Sequence, residues 1–365
     1  MIVIGLMSGT SMDGLDCCLS NIEIDEQMNL KFDIIDSDFF PYKKEAKDLI
    51  YDTVFYKLHS QEYIADYLGN LYSNMLKSFL SNRTTDLISI HGQTISHKNK
   101  QYSKQACNPK IIYKDFSIPV VDNFRMTDIN NGGNGAPLVP ILDWYLFKNS
   151  KDNILTVNIG GISNISFIPN RLEKNKIIGF DTGPGMCIVD RFINKIWKKK
   201  YDENGEISNK GVINSELLNY LLKDPFLSLT PPKSATTETY NMKFVDEVIS
   251  KFNYINNYDI LRTFVNFTSV LIKKNIDLFI SDIYKNNFKI ILSGGGVKNK
   301  VLLSDLKNEF IDYDISLLNL NGLNIDNKES FLMCLLGYTR FKNIPNNVPS
   351  VTGADSEAVC GDLYE

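Results

Sequence analysis

Three short segments combine glycine with hydroxyl, amide or carboxyl groups, each directly after an apolar run. Residues 8–14 (SGTSMDG) hold glycines, three hydroxyls and a carboxylate; residues 158–164 (NIGGISN) offer similar groups without an acid; residues 293–299 (SGGGVKN) precede a helical pattern. Glycine turns and helix N-termini present backbone N–H groups to phosphate oxygens, and a nearby carboxylate can hold hydrated magnesium. The three segments predict phosphate or nucleotide binding, although each alone also fits an ordinary turn.

A fourth segment, residues 179–185 (GFDTGPG), places Asp181 at the end of an apolar run. Open α/β sheets carry their active sites at the carboxyl ends of strands. An ionised carboxylate there can take a proton from water or a hydroxyl, and the alternative is an aspartate that caps the next helix. The chain has no G-x-x-x-x-G-K-[ST], no protein-kinase signature and no G-x-S-x-G, which argues against Walker-type ATPases, protein kinases and α/β-hydrolases.

Short β-branched runs alternate with longer helical patterns, which predicts an α/β protein with a parallel or mixed sheet. The predicted strands cover residues 2–7, 86–90, 154–159, 177–180 and 289–292. The predicted helices cover residues 45–58, 62–80, 189–199, 242–252, 260–286 and 329–342.

The length of 365 residues predicts two domains. A glycine-rich stretch, residues 130–140, suggests a boundary that gives domains 1–130 and 131–342, with residues 343–365 returning to the first. Residues 5–23 and 156–168 share a strand, turn, strand plan. We therefore expect two similar hairpins, one in each domain, facing a common cleft.

The net charge, the cysteine spacing and the apolar runs argue against several classes of function. A net charge of -4 gives no general attraction for nucleic acid, and the six cysteines show no zinc-ligand spacing, which favours reduced thiols. Met1 leads directly into a strand without a basic leader, and no apolar run reaches membrane-spanning length. We expect a cytoplasmic protein with a small-molecule substrate and no nucleic acid or membrane partner; the sequence leaves a homodimer open.

Taken together, the ordered motifs resemble those of the anhydro-N-acetylmuramic acid kinase family. They are GLMSGTSMDGLD (5–16), HGQT (91–94), NFRMTD with GGNGAPLVP (123–140), NIGGISNI (158–165), GFDTGPG (179–185), PPKS (231–234), SGGGVKN (293–299), KES (328–330) and VTGA (351–354). The resemblance implies the fold class of actin, hexokinase and heat-shock chaperone ATPases. That fold has two similar actin-like (ribonuclease H-like) α/β domains, with mixed sheets flanked by helices and an active site in the cleft between the domains.

The resemblance also implies an ATP- and Mg²⁺-dependent reaction. The 1,6-anhydro ring of anhydro-N-acetylmuramic acid is opened by water and O6 is phosphorylated, giving N-acetylmuramic acid 6-phosphate in cell-wall recycling. Asp181 matches the catalytic base, and Asp13 is the candidate for orienting magnesium through water. The expected nucleotide-binding residues are Gly9, Thr10, Ser11, Met12, Asp13, Gly14, Leu15, Asp16, Gly160, Gly161, Gly294, Gly295, Gly296 and Asn299. The expected sugar-binding residues are His91, Gln93, Arg125, Asp128 and Glu329.

The chain departs from the family pattern in the helix after Glu329 (SFLMCLLGYTRF in place of an alanine-rich run), in the tail after residue 354, and at two further places. Asn134 stands where the family usually has glutamine, and residues 235–237 (ATT) replace a usual Gly-Arg pair. Two alternatives therefore stay open at this point: a catalytically inactive sensor of the same fold that binds sugar or nucleotide, and a kinase for another amino sugar.

Overall fold

The computed structural model describes residues 1–9, 12–170, 174–235, 239–281 and 288–365. The chain divides into two compact units: unit 1 comprises Met1–Leu146 and Asn319–Glu365, and unit 2 comprises Phe147–Leu318. The divisions at 146/147 and 318/319 differ from the expected ones at 130/131 and 342/343. A long helix near the C-terminus, described below, packs on the first sheet, which places it in unit 1.

Fifteen strands are present in the described chain. They are β1 (Ile2–Met7), β2 (Gly14–Ile24), β3 (Leu30–Pro41), β4 (Leu87–Ile90), β5 (Gln93–Lys98), β6 (Tyr102–Ala106), β7 (Val120–Asp122), β8 (Ile154–Ile159), β9 (Ile162–Ile168), β10 (Ile178–Pro184), β11 (Lys289–Ser293), β12 (Ile315–Leu317), β13 (Asn319–Leu320), β14 (Leu323–Asn324) and β15 (Asp362–Tyr364).

The α-helices follow the same chain order. They are α1 (Lys44–Tyr51), α2 (Gln61–Leu80), α3 (Pro109–Phe116), α4 (Phe124–Asn130), α5 (Val139–Phe147), α6 (Cys187–Trp197), α7 (Ser215–Leu221), α8 (Met242–Lys251), α9 (Asn257–Ile276), α10 (Lys300–Glu309), α11 (Lys328–Phe341) and α12 (Pro349–Thr352). Wider π turns, Asp52–Tyr56 and Asp277–Ser281, continue α1 and α9. The 3₁₀ turns are Lys174–Lys176, Glu203–Gly205, Ser208–Lys210, Pro225–Ser228 and Gly295–Lys298.

Unit 1 is built on a six-stranded mixed sheet in the order β15-β7-β4-β1-β2-β3. β1, β2 and β3 form an antiparallel meander, whereas β4 and β7 run parallel to β1. One face is covered by α2, whose buried Leu68, Tyr72 and Leu76 join Leu6 in the core. Each face of such a sheet needs an apolar cover, and alternate residues of β1 serve the two faces.

The opposite face is covered by α11, which approaches unusually closely. A Cβ built on Gly5 would lie 2.1 Å from the carbonyl oxygen of Ser330, and one on Gly337 would lie 2.5 Å from Cβ of Ser89. Only glycine allows backbone and helix to approach so closely. These two contacts explain why residues 328–341 belong to unit 1.

Unit 2 is built on a five-stranded mixed sheet in the order β10-β9-β8-β11-β12. β8, β9 and β10 are antiparallel neighbours, and β11 and β12 run parallel to β8. The buried helix α9 packs on β10 and on α6, where the rings of Phe264 and Phe192 meet edge to face at 5.4 Å. When only the strands of each main sheet are numbered in chain order, both sheets have the order 3-2-1-4-5, and unit 1 adds β15 at its edge. The predicted α/β class with mixed sheets flanked by helices is confirmed.

The predicted elements are confirmed in type, with shifted ends. The strands at 2–7 and 154–159 have the expected bounds, and the strand expected at 177–180 continues to Pro184. The helix expected over 45–58 ends at Tyr51 and continues as the π turn. The helix expected over 260–286 ends at Ile276, and residues 282–287 lie outside the described chain. Within the residues described, no helix has both the length and the apolar content that a membrane crossing requires.

Candidate active site

Polar side chains form a row across the unit 2 sheet, one on each of four neighbouring strands. The strand registers pair Ser293 with Asn158, Asn158 with Asn164, and Asn164 with Asp181. Paired residues on adjacent strands point to the same face and lie about 5 Å apart at Cβ. Ser293 is fully buried, whereas Asn164 and Asp181 are half-buried, so the row opens to solvent toward β10.

Asp181 is held by a segment that follows in the chain. Its backbone N–H donates to the carbonyl oxygen of Lys233 at 3.1 Å. Its Oδ2 accepts from the N–H of Ala235 at 2.8 Å and from the hydroxyl of Ser234 at 3.1 Å. Burial raises the pKa of Asp181 to about 6, and these two donors oppose that shift. Near neutral pH the carboxylate is thus ionised but close to its pKa, which suits a general base.

The predicted turn at Gly160 and Gly161 joins β8 to β9 and contacts the start of α6. The carbonyl of Gly161 accepts from the N–H groups of Gly185 and Cys187, and that of Gly160 accepts from Met186. A Cβ on Gly185 would lie 2.4 Å from the oxygen of Gly160, so this contact requires glycine. Gly161 is itself exposed. The turn and the strand that carries Asp181 are therefore joined in one sheet.

The triple glycine follows β11 and lies beside the same turn. Gly294 has φ 86°, and a Cβ there would lie 2.6 Å from the carbonyl oxygen of Ile159. Gly296 is buried against the Ile159 side chain, whereas a Cβ on Gly295 would meet nothing within 4 Å. Unit 2 thus brings Gly160, Gly161 and the triple glycine to one end of its sheet.

Asn299 has a structural role at the start of α10, and its contact with the nucleotide stays a prediction. Its Oδ1 accepts from the N–H groups of Val301 at 3.0 Å and Leu302 at 3.1 Å, which caps α10, and its Nδ2 donates to Asp202 at 3.4 Å. An N-terminal cap of this kind satisfies helix N–H groups that have no partner inside the helix.

In unit 1, the turn between β1 and β2 is fixed by a buried hydrogen-bond network. The hydroxyl of Ser8 donates to Oε1 of Gln93 at 2.6 Å and lies 2.7 Å from the hydroxyl of Tyr42. Nε2 of Gln93 donates to the carbonyl oxygen of Gly9 at 3.0 Å. Gln93 is completely buried and supports the turn, and its contact with the sugar stays a prediction.

The centre of this turn is only partly described, because Thr10 and Ser11 lie outside the described residues. Met12 has φ 55°, in the left-handed region, and its N–H donates to the carbonyl oxygen of Gly9. Asp13 is half-buried, and its carbonyl oxygen accepts from the N–H of Tyr42 at 2.9 Å. The carboxylate of Asp13 therefore belongs to a turn that is anchored on both sides.

The last three residues of the predicted phosphate segment begin β2. A Cβ on Gly14 would lie 2.4 Å from the carbonyl oxygen of Phe40 on β3. Leu15 is fully buried in the unit 1 core, and its assignment to the nucleotide stays a prediction. Asp16 is half-buried and pairs in register with Met7.

His91 and Arg125 form a directly bonded pair. Nε of Arg125 donates to Nε2 of His91 at 3.0 Å, and Nη1 donates to the carbonyl oxygen of Gly135 at 2.8 Å. Because arginine only donates, Nε2 of His91 is unprotonated, and Nδ1 donates to the carbonyl oxygen of Gly92 at 2.8 Å. Burial first, and then the charge of Arg125, lower the pKa of His91 to about 3, so the imidazole is neutral.

The rest of the Arg125 guanidinium is available to a ligand. Nη2 makes no hydrogen bond within the described residues, and the side chain is half-buried.

Glu329, in the first turn of α11, keeps solvent access. Desolvation by the surrounding protein raises the pKa of the Glu329 carboxyl, and the positive charges of Lys328 and Arg125 oppose that rise. The buried ion pair of Lys328 with Asp143, at 2.8 Å, anchors this end of α11.

Asp128 is buried, and both of its carboxylate oxygens accept hydrogen bonds from unit 1. Its Oδ2 accepts from the N–H of Gly135 at 2.8 Å, and its Oδ1 accepts from Asn347 at 2.9 Å and from Thr352 at 2.8 Å. Both oxygens of this buried carboxylate are used within unit 1. Asp128 therefore holds the glycine-rich loop, and its assignment to the sugar stays a prediction.

The carboxylate of Asp13 fits a magnesium ion that takes most of its ligands from phosphates and water. Within the described parts of the chain, no three His, Cys, Asp or Glu side chains cluster as a metal site. Magnesium commonly binds through one or two carboxylates together with substrate phosphates and water. A single carboxylate such as Asp13 is compatible with that arrangement.

Sequence reasoning missed three members of the polar row: Ser293, Asn158 and Asn164 were noted only as parts of glycine motifs. Asparagine is depleted in strand interiors, and this was the available signal. The contact of Ser234 and Ala235 with Asp181 gave no sequence signal, because it depends on tertiary structure.

Comparison with known proteins gives a consistent result. The family model described as anhydro-N-acetylmuramic acid kinase matches residues 1–365. The curated protein of that name from a strain of Bacillus cereus is 34% identical over 379 residues, covering 100% of this chain and 99% of its own. The one from Clostridioides difficile (strain 630) is 33% identical over 377 residues, covering 100% and 98%.

Solved structures give only a distant likeness. Component A of (R)-2-hydroxyglutaryl-CoA dehydratase from Acidaminococcus fermentans matches with a TM-score of 0.48 and 11% identity, over 93% of this chain and 98% of that one. Nothing about activity follows from a likeness at this level.

Proposed function

The chain belongs to the anhydro-N-acetylmuramic acid kinase family, and from this premise we propose that it opens the 1,6-anhydro ring of that sugar with water and phosphorylates O6 with ATP. The observation that carries the proposal is Asp181, a half-buried strand-end carboxylate with two hydrogen-bond donors and a pKa near 6. The product is N-acetylmuramic acid 6-phosphate, an intermediate of cell-wall recycling in the cytoplasm.

In the proposed reaction, Asp181 takes a proton from water while the remaining hydroxide bonds to C1. The C1–O6 bond breaks, and O6 takes the γ-phosphoryl group, releasing ADP. The proton then passes from Asp181 to solvent. Such a transfer asks the protein chiefly for positioning and for stabilisation of charge. When bound, Mg²⁺ would neutralise charge on the phosphates, with Asp13 as its protein partner.

The remaining residues have separate roles in the proposal. The backbone at Gly9, Met12, Asp13 and Gly14 and the turn at Gly160 and Gly161 bind phosphates, and the triple glycine borders the adenosine. Thr10, Ser11 and Asp16 stay candidates for the same task. Arg125 and Glu329 bind the sugar: the open Nη2 of Arg125 suits the lactyl carboxylate, because guanidinium groups pair strongly with carboxylates. His91 orients Arg125.

The test is incubation with ATP, magnesium and the anhydro sugar in oxygen-18 water. We expect one labelled oxygen at the C1 hydroxyl of a 6-phosphorylated product and none in the phosphate. Preformed product kept in labelled water for the same time controls for exchange at C1. Unlabelled product would reject attack by water, and sugar binding without ATP consumption would favour the inactive sensor. Turnover of other amino sugars, but not of this one, would favour the kinase with a different substrate.

A further inference from the structure

Lys233 is a buried lysine in the PPKS segment whose charge is surrounded by aromatic rings. Its Nζ lies 4.8 Å from the ring centre of Phe279, 4.9 Å from that of Phe226 and 5.7 Å from that of Phe180. It also donates to the carbonyl oxygen of Phe226 at 3.3 Å. A cation over aromatic faces is attracted by their quadrupoles, most strongly where water is excluded. The side chain is 8% exposed, so this condition is met.

The rings that surround Lys233 come from three separate parts of unit 2. Phe180 lies on β10 directly before Asp181, Phe226 lies in the turn Pro225–Ser228, and Phe279 lies in the π turn after α9. One side chain therefore ties residues 231–235 to three elements. Burial lowers the pKa of Lys233 to about 8, so the ammonium form prevails near neutral pH.

The segment anchored in this way is the one that contacts Asp181. Three hydrogen bonds join them: Asp181 N–H to the carbonyl oxygen of Lys233, and Ser234 and Ala235 to Oδ2 of Asp181. We propose that Lys233 is a positioning residue, whose ammonium group in the three-ring cage keeps Ser234 and Ala235 aimed at the Asp181 carboxylate. The inference rests on the proposed role of Asp181 as the base.

The consequence is a defined protonation behaviour of Asp181. Donors to a carboxylate favour its ionised form, so we expect loss of the Ser234 and Ala235 hydrogen bonds to raise the pKa of Asp181. The other charged groups on the elements packed against β10 are engaged elsewhere or exposed. Arg262 pairs with Asp305, Lys273 pairs with Asp277, Asp259 and Asp224 accept backbone N–H groups, and Lys274 is exposed. β9 carries no charged residue.

The experiment compares Lys233→Met with Lys233→Arg and wild type. Methionine keeps the length and apolar packing without the charge, and arginine keeps the charge. Lys251→Met is the matched control, because Lys251 lies 4.0 Å over the Tyr220 ring but is exposed and has no bond to Asp181. The first readout is the pH titration of the Asp181 carboxyl by carbon-13 NMR, assigned by its loss in Asp181→Asn. The second is the pH profile of kcat/KM for the kinase reaction.

For Lys233→Met we expect the carboxyl titration and the acid limb of the profile to move together to higher pH by about one unit, which is about tenfold in kcat/KM well below the pKa. Lys233→Arg and Lys251→Met should stay within about twofold of wild type at every pH. Ser234→Ala, which removes one donor and leaves the cage intact, should give a smaller shift in the same direction. Thermal unfolding midpoints confirm that the variants fold.

An unshifted Asp181 titration in folded Lys233→Met would overturn the inference, as would an equal loss of activity at every pH. The NMR titration does not depend on turnover. If Asp181 shifts as expected but the wild-type enzyme does not phosphorylate the sugar, then the proposed function fails while the positioning role stands.

Discussion

The two sheets share one strand order, yet they use the same positions differently. In unit 2 the row one residue before the end of β8 reads Ser293, Asn158, Asn164 and Asp181 across the sheet. The corresponding row of unit 1, one residue before the end of β1, reads Ile90, Leu6, Cys17 and Asp38. The first three of these unit 1 residues are buried core, and Asp38 is exposed on the outermost strand.

The difference shows that the shared strand order sets where the residues of each row lie. The residue types at those places decide whether the row is polar or belongs to the apolar core. Asp181 and Asp38 sit at equivalent places on equivalent strands. Asp181 receives two donors from residues 234 and 235, whereas the Oδ1 of Asp38 accepts from the N–H of the next residue, Phe39. Unit 1 instead places its polar groups in the turn after β1 and around Arg125.

The strongest test of this comparison substitutes both aspartates in the same way. Asp181→Asn should lower kcat by about 10²- to 10⁴-fold, the range for loss of a general base, while ATP binding by calorimetry stays unchanged. Asp38→Asn should change kcat by less than about twofold, because exposed substitutions away from the site have small effects. Equal losses in the two variants would break the comparison.

The same carboxylate sets a pH dependence. The proposed base, Asp181, can act only when ionised, so the wild-type kcat/KM should fall as pH drops below about 6. The pKa of Asp181 in the folded state lies above the usual 3.8. Between about pH 4 and 6 the native state therefore binds more protons than the unfolded state. The stability that this group contributes falls as pH rises through that window. Asp181→Asn should therefore melt no lower than wild type near pH 8.

An intermediate effect is expected for Arg125, the proposed sugar-binding cation of unit 1. Arg125→Lys loses the Nε donor to His91 and the planar fork, so kcat/KM for the sugar should fall about 10- to 100-fold, mainly through KM, as for a lost charged hydrogen bond. The control is Arg83→Lys, which alters an arginine on the same unit that pairs with Asp36. A fall in ATP affinity with unchanged sugar KM would assign Arg125 to the nucleotide.

Much of this organisation was readable from the sequence, because local patterns determined it. Apolar runs such as residues 154–159 predicted the strands, and the glycine segments after them are turns at the strand ends. Their contact with a ligand stays a prediction. The strand, turn, strand plan shared by residues 5–23 and 156–168 is present as β1–β2 in unit 1 and as β8–β9 in unit 2.

Other features depend on contacts distant in sequence. Gln93 and Asp128 looked like sugar ligands, since polar residues after strands often are, but the structure uses them to hold the turn at Gly9 and the loop at Gly135. The extent of unit 1 depends on Gly5 and Gly337 meeting atoms far along the chain. No local pattern encodes such pairings.

The smallest effect concerns two buried serines, Ser8 at the unit 1 turn and Ser163 on β9 of unit 2. Ser8→Ala leaves Gln93 Oε1 without its donor in a fully buried site, so unit 1 should lose about 1–3 kcal/mol, the range for an unsatisfied buried group. Ser163→Ala should lose only about 0.5–1.5 kcal/mol, because Thr182, 2.6 Å from the Ser163 hydroxyl, also donates to the Ser163 carbonyl oxygen. Chemical denaturation measures both changes. A larger loss for Ser163→Ala than for Ser8→Ala would contradict this ranking.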